Sequence, residues 1–274
     1  MIKKIKIAWA GKHFGEEPPL TGKAEQGAGG IFFSGCNLRC VFCQNWQISQ
    51  AGLGKEYSVA GLADIMLSLE KQGAANIDLV TPTIWWRQIK QAIKLAKKQG
   101  LTIPVAWNSN AYESPEIIKQ LNGLVDIYLP DFKYGDDEIA KKYSGAFNYS
   151  AVAGAAIKEM FKQVGSLEVD KNGLARRGVI VRHLILPDNL ENSFKALAVI
   201  SEIDKNIPVS LMRQYFPAHK VKKFPEINRP VSQIEFKKVF ERMIELGLEN
   251  GWTQAENCEK VMLPDFSKHE PFER

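Results

Sequence analysis

Six short apolar runs, each followed by a stretch of helical character, restrict this chain to very few architectures. The runs are GIFFS (30–34), IDLVT (77–81), IPVAW (103–107), VDIYL (125–129), GVIVRHLIL (178–186) and IPVSLM (207–212). Most are continuous rather than alternating, which suits strands covered on both faces in a parallel sheet. The stretches between them have readable helix ends. Ser58 precedes VAGLADIMLSLEKQG, which Gly73 closes, and IWWRQIKQAIKLAKKQG finishes at Gly100. Ser114-Pro115 sets an N-cap before a proline at the first helical position, with Gly123 at the far end. Residues 149–164 and 190–204 carry helical patterns, and Ser232-Gln233-Ile234-Glu235 is a capping box ahead of FKKVFERMIELG. Such an alternation winds right-handed. It can close as a barrel, stop as a partial barrel, or open as a doubly wound sheet; in each case ligands gather at the C-terminal ends of the strands.

No Pro-, Gly- or Ser-rich linker divides the 274 residues and no solenoid-length repeat is present, so one α/β domain is expected. Its parts are an N-terminal extension over 1–29, a barrel over 30–250 and a C-terminal tail over 251–274. A net charge of +5, spread over several helical stretches, reads as solvated helix faces. No RNA-binding motif or Arg-rich tail points to nucleic acid. The basic N-terminus lacks the apolar run of a signal peptide, and nothing approaches the roughly 18 apolar residues of a membrane span. Four cysteines, three of them too close for mutual disulfides, argue against a secreted disulfide scaffold. A cytoplasmic protein is expected.

Those three cysteines, Cys36, Cys40 and Cys43, directly follow the first run in SGCNLRCVFCQN. They therefore fall at the functional edge of a βα fold. Structural zinc prefers four ligands in two separated pairs, and the second pair is missing. A redox CxxC needs no third thiol. Three thiolates on one loop suit a 4Fe–4S cluster with one iron left open, because thiolate is the usual protein ligand of such clusters. Cys258 stands alone in GWTQAENCEK and reads most simply as a small core residue.

The CxxxCxxC spacing, with Phe42 before the last cysteine, resembles the radical S-adenosylmethionine (SAM) superfamily. The segments EEPPLTGKAEQGAGGIFFSGCNLRCVFCQNWQIS, LVTPT, VDIYLPDFKY with KYS, RGVIVRHLILP, SLMRQYFPAHK and FPEINRP narrow the resemblance. They are similar to the pyruvate formate-lyase activating enzyme-like proteins of the PflX type. Many of those carry a further N-terminal Cys-containing segment that is not found here. The resemblance implies a partial (β/α)6 TIM-like barrel open at one side. It also implies one 4Fe–4S cluster, held by Cys36, Cys40 and Cys43, whose fourth iron chelates the methionine part of SAM while Phe42 lies by the adenine. Reductive cleavage would then give a 5′-deoxyadenosyl radical that abstracts hydrogen.

Further cofactor contacts are expected at the strand ends. Thr81-Pro82-Thr83 stands where the superfamily places Gly-Gly-Glu, and the hydroxyls of Thr81 and Thr83 are candidate replacements, although Thr-Pro also simply ends a strand. Asn108-Ser109-Asn110 matches polar residues set against SAM in activases; as turn formers they have a plainer reading too. Asp131 and Lys133 share one side of an extended segment, matching the activase Asp-x-Lys, with an ion pair as the bland alternative. Arg182 interrupts a buried run and must meet SAM or an acidic partner, because an unpaired buried charge is costly. His183 faces the other way and reads as structural. Met212, Gln214, Tyr215 and His219 follow the last strand toward a substrate opening, while His13 and Glu16-Glu17 could fold over the barrel mouth.

The leading expectation is a radical SAM oxidoreductase, with activation of a glycyl radical enzyme as the family-level function. Radical modification of another peptide or small molecule is the alternative, and a non-catalytic iron–sulfur electron-transfer protein is the alternative of another class. Flavodoxin or ferredoxin is the expected reductant.

Overall fold

The computed structural model describes residues 4–22, 26–254 and 263–272; Cys258 lies outside them. After β1 (Ile5–His13) and a one-turn helix α1 (Pro18–Thr21) come β2 (Ala28–Phe33), the one-turn α2 (Trp46–Ser49) and β3 (Lys55–Tyr57). The alternation continues through α3 (Val59–Lys71), β4 (Ile77–Val80), α4 (Trp86–Lys98), β5 (Val105–Ser109), α5 (Pro115–Lys119), β6 (Ile127–Pro130), α6 (Asp137–Ser144) and α7 (Tyr149–Val164). The two-residue β7 (Glu168–Val169), β8 (Ala175–Val179), β9 (Val181–Leu184), α8 (Leu190–Ile203), β10 (Val209–Met212), α9 (Gln233–Glu245) and β11 (Gly251–Thr253) complete the described chain. The helix starts are set by their caps. Ser58 Oγ accepts from the Gly61 amide at 3.0 Å, Ser114 Oγ accepts from Ile117, and Ser232 with Glu235 forms the reciprocal capping box. Among the described residues no helix is long and apolar enough to cross a membrane.

The strands form a mostly parallel α/β sheet of partial-barrel type. β2, β4, β5 and β6 pair in parallel in that order. An Asp131–Arg182 bridge and the Phe132 amide, which donates to the Arg182 carbonyl at 2.8 Å, carry the curvature on to β9. β10 and then β11 follow, again in parallel. The run 178–186 is not one strand. It breaks at Ile180 because β8 pairs with β6, whereas β9 pairs with β10. Gly178 makes that switch possible: φ is +123°, and a Cβ would lie 2.5 Å from the Leu167 backbone.

Alternation along the strands sorts side chains between two faces. Ile31, Phe33, Ile77, Leu79, Val105, Trp107, Tyr128, Val181, Val209 and Leu211 belong to the large core shared with the helices. The opposite face, toward the barrel interior, carries Asp78, Asn108, Asp131, Arg182 and Ser210 together with Phe32 and Val80. Its closed end is apolar. β1 runs antiparallel to β2 and delivers His13 opposite Ala28, at the N-terminal end of β2. From there α1 turns inward, and Leu20 is fully buried among Ala106, Ile127, Leu129, Ala175 and Ile180. The Glu16-Glu17 segment thus closes the end of the barrel away from the strand C-termini, rather than covering the mouth.

His183 faces the outer core and is fully buried, with Nδ1 2.7 Å from the Phe132 carbonyl and Nε2 without a partner. Burial lowers its pKa to about 4. Because the folded value lies below the unfolded one, its contribution is present above about pH 6.5 and is lost as the pH falls toward 4. Relative to His183→Gln, which keeps a donor but cannot titrate, wild type is expected to lose about 3 kcal/mol between pH 7 and 4. Paired denaturation curves across that range measure it; a difference independent of pH would contradict the buried neutral imidazole.

Candidate active site at the cysteine loop

The loop after β2 is held at both sides by backbone hydrogen bonds. The Arg39 and Val41 amides donate to the Ser144 and Tyr143 carbonyls at 3.1 and 2.8 Å, using acceptors that the end of α6 leaves free. Each sulfur has its own polar neighbour. Leu38 N and Asn110 Nδ2 each lie 3.4 Å from Cys36 Sγ, Ser144 Oγ lies 2.9 Å from Cys40 Sγ, and Ser49 Oγ lies 3.2 Å from Cys43 Sγ. Ser144 is backed in turn by the Tyr134 hydroxyl at 2.5 Å. Burial pushes the Cys36 thiol up to about 11 and the Cys43 thiol up to about 12, and raises Cys40 as well. Lys133 opposes that rise at Cys36 and Cys40 without cancelling it; a bound metal centre would supply the charge that ionises the thiols.

Among the described residues no three His, Cys, Asp or Glu side chains converge so as to hold one metal ion. Three sulfurs on one loop, each with its own polar neighbour, suit a polynuclear centre in which each sulfur binds a different metal.

All three cysteines line a cavity of about 460 Å³ that runs down toward the Glu16 end of the interior. Phe42, Thr81, Asn108, Asn110, Asp131, Lys133 and Arg182 line the same cavity, so strands β4, β5, β6 and β9 each bring a predicted contact to it. Thr83 does not. Thr81 adopts φ +59°, a left-handed conformation strained for a β-branched residue, and the chain then turns into the 3-10 turn Thr83–Trp85. That turn buries Thr83 beside the Glu113 carboxyl. Gln214, Met212 and Tyr215 also line the cavity, with Tyr215 packing edge-on against Phe42 at 5.7 Å. His219 lies outside it, stacked on Trp46.

Arg182 is the hub of the polar interior. Its three guanidinium nitrogens donate, each at 2.6 Å, to Asp131 Oδ1, Glu16 Oε2 and Asn108 Oδ1. Asn108 Nδ2 then reaches Asp78 at 3.2 Å, and Lys133 Nζ meets the second Asp131 oxygen at 2.5 Å. Burial opposes ionisation of Asp131, yet Arg182 and Lys133 together hold its carboxyl below the usual range. Asp78 has no such partner, and burial followed by the Glu16 charge raises it well above a normal carboxylic acid. Glu16 and Glu17 are raised chiefly by burial, with Arg182 opposing. The interior thus combines two cations, Arg182 and Lys133, with one carboxyl held ionised, Asp131, and three whose charged forms burial disfavours, Glu16, Glu17 and Asp78.

Sequence reasoning missed Asp78 and the part played by Glu16. Asp78 was detectable by the argument applied to Arg182, since both are charges inside apolar runs. Glu16 was not, because its partners lie 92 and 166 residues away in the chain.

Residues 31–165 match the Radical SAM superfamily, covering the loop and the first four barrel strands. The chain carries a radical SAM domain. This radical SAM protein is 34% identical over 239 residues to an uncharacterized protein of Methanocaldococcus jannaschii, which covers 84% of the chain and 64% of that relative. It is 24% identical over 209 residues to the pyruvate formate-lyase-activating enzyme of Clostridium pasteurianum, covering 72% of the chain and 79% of the enzyme. Among solved structures, SuiB of Streptococcus suis bound to precursor peptide SuiA superposes with a TM-score of 0.56 at 13% identity. That match covers 85% of the chain and 50% of SuiB. HydG, a maturase of the [FeFe]-hydrogenase, gives 0.54 at 16% identity, over 80% of the chain and 49% of HydG. The radical SAM protein thus spans just under two thirds of the first relative and about half of these solved chains.

Proposed function

We propose that this radical SAM enzyme holds a 4Fe–4S cluster on Cys36, Cys40 and Cys43, binds SAM in the cavity beside it, and directs the resulting radical at a glycyl radical enzyme. The observation that carries the reading is the convergence, in one cavity, of three sulfurs from one loop with polar side chains from the ends of four strands. Cluster and SAM together supply one-electron cleavage to a 5′-deoxyadenosyl radical, a chemistry that belongs to the cofactors. The chain's residues position and enclose them. Lys133, fixed by Asp131, keeps further N–H groups for the SAM carboxylate. Asn110, held by Asn37 at 2.7 Å, and Thr81 offer polar contacts near the sulfurs, and Phe42 offers an apolar wall for the adenine. Arg182, with every nitrogen already used, acts on SAM by fixing Asp131 and Asn108. Residues 30–250 form the radical SAM unit in this reading, with parts of 1–29 and 251–274 walling its interior. Flavodoxin or ferredoxin supplies the electron.

Ser144 tunes the cluster through Cys40. A hydrogen bond to a cluster sulfur favours the reduced, more negative state, so Ser144→Ala is expected to shift the midpoint potential negative by tens of millivolts. A tenfold change in equilibrium corresponds to about 59 mV for one electron. A redox titration followed by EPR reads the shift, and a positive shift would contradict the assignment of Cys40.

Glycyl radical activation is supported by the homology to pyruvate formate-lyase-activating enzyme. It predicts a persistent glycyl radical EPR signal when the reduced enzyme, SAM and a candidate glycyl radical enzyme are mixed without oxygen. SAM cleavage without that signal, but with a modified peptide or small molecule, would assign the alternative substrate class. A cluster that never cleaves SAM would leave an electron-transfer protein.

A further inference from the structure

Resting on the radical SAM reading, we infer that the cationic surface around the back of the cysteine loop is the docking face for an acidic protein that donates the electron. Three backbone hydrogen bonds assemble this surface. Arg39 N and Val41 N bind the end of α6, and Lys220 N donates to the Val41 carbonyl at 2.9 Å. A fourth link ties the pieces together across the loop. Glu226 accepts from Lys142 Nζ at 2.7 Å and from the Tyr143 hydroxyl at 2.8 Å, while Tyr143 packs edge-on against Phe224.

The result places six exposed cations, Arg39, Lys141, Lys142, Lys220, Lys222 and Lys223, on the segments that clamp Val41. Facing them from the same segments is one carboxylate, Glu226, which Lys142 already neutralises. The acidic residues of α6, Asp137 and Glu138, lie at its other end, in the first turn. Like charges gathered on three separate chain segments repel in the free protein, a small cost that a complementary anionic partner removes.

Position identifies what the partner brings. Val41 is the residue after Cys40 and lies between Cys40 and Cys43, so a protein seated on Lys220 and Arg39 stands one residue from the sulfurs. Leu38, Cys40 and Phe42 line the cavity proposed for SAM, whereas their neighbours Arg39 and Val41 do not. An electron can therefore enter from behind while SAM occupies the front. The donor gives up one electron and the cluster gains it, with no bond or proton exchanged at the surface.

The test uses the full-length, anaerobically reconstituted enzyme with SAM and two reductants, dithionite and photoreduced flavodoxin. A Lys220→Glu, Lys222→Glu, Lys223→Glu triple variant is compared with a Lys71→Glu, Lys94→Glu, Lys98→Glu variant. The second carries the same charge change on exposed positions of α3 and α4. Both variants should keep wild-type iron content and wild-type SAM cleavage with dithionite. With flavodoxin at low salt, the loop-side variant should be slower by about tenfold or more, and the gap should close as salt shortens the Debye length from about 10 Å to about 3 Å. The α3/α4 variant should stay within about twofold of wild type.

Equal flavodoxin rates in all three proteins would overturn the docking face, as would equal slowing in both variants. Loss of nucleic-acid binding by the loop-side variant, with electron transfer untouched, would assign the patch to another partner. Absence of cleavage by wild type even with dithionite would instead defeat the radical SAM reading on which the proposal rests. If the triple variant fails to fold, the single Lys220→Glu change must show the same salt-dependent slowing with flavodoxin, and its absence counts against the proposal.

Discussion

Cys40→Ala is expected to abolish the iron–sulfur centre while leaving the fold in place. Cys40 is the most buried of the trio and is held from both sides, by Ser144 at its sulfur and by Gln50 Nε2 donating to its carbonyl at 2.9 Å. Removing one sulfur atom at a cavity wall removes few packing contacts, so the melting temperature without iron should change little. The centre is different. A cluster with two remaining cysteines has no ligand for a second iron, so iron content after reconstitution should fall from about four per chain to near background. Cleavage of SAM should drop by at least about a thousandfold, because the slow step has no electron source. Cys258→Ala should retain both. Iron analysis with the visible absorption of the reconstituted proteins distinguishes the two variants. A full cluster in Cys40→Ala would show that another residue serves as ligand.

Arg182→Leu is expected to have the largest effect on stability. It removes three charge-assisted bonds at once and leaves Glu16 and Asp131 facing each other in the interior. Breaking a buried pair by deleting one partner typically costs about 3–5 kcal/mol, which for a domain of this size lowers the melting temperature by on the order of 10 °C. The deficit should depend on pH with a definite sign. In wild type the Asp131 value is lowered, so its contribution holds above the unfolded carboxylate range and is lost as pH falls through the folded value. Without Arg182, burial dominates at both carboxyls and raises them. Groups with raised folded values bind extra protons in the native state, so acid stabilises the variant relative to wild type, and the deficit should shrink from pH 7 to pH 5. Arg182→Lys should recover only part, since an ammonium cannot span all three acceptors. Thermal melts at the two pH values decide the matter; a small, pH-independent deficit would show that the carboxylates do not rely on this guanidinium.

These effects arise where local pattern and tertiary structure meet, which also explains what could be read beforehand. The cysteine loop was legible because three thiols at short spacing are a local pattern, and the strand before it was legible because a doubly covered strand must be apolar. Asn108, Asp131 and Lys133 were singled out for following apolar runs, and all three line the cavity. Alternation within the strands was obscured: Asp78 and Ser210 share their face with apolar neighbours, so IDLVT and IPVSLM read as uniformly buried. The break in GVIVRHLIL was invisible because it comes from a change of pairing partner, which no local pattern records. The same holds for Glu16 and for Phe272, which packs within 5.2 Å of Phe32 and 4.4 Å of His13 at the cavity wall. Their sequence neighbours predict an extension and a tail; only the tertiary structure shows that both line the cavity.

The central claim is that this cavity holds SAM against a cluster on the three-cysteine loop. It is tested most directly by incubating the anaerobically reconstituted protein with SAM and dithionite and quantifying 5′-deoxyadenosine. The account predicts that 5′-deoxyadenosine and methionine form together from wild type and Cys258→Ala, and from none of Cys36→Ala, Cys40→Ala or Cys43→Ala. Cleavage that survives loss of any one of those three cysteines, or a fully loaded wild-type cluster that leaves SAM intact, would contradict it.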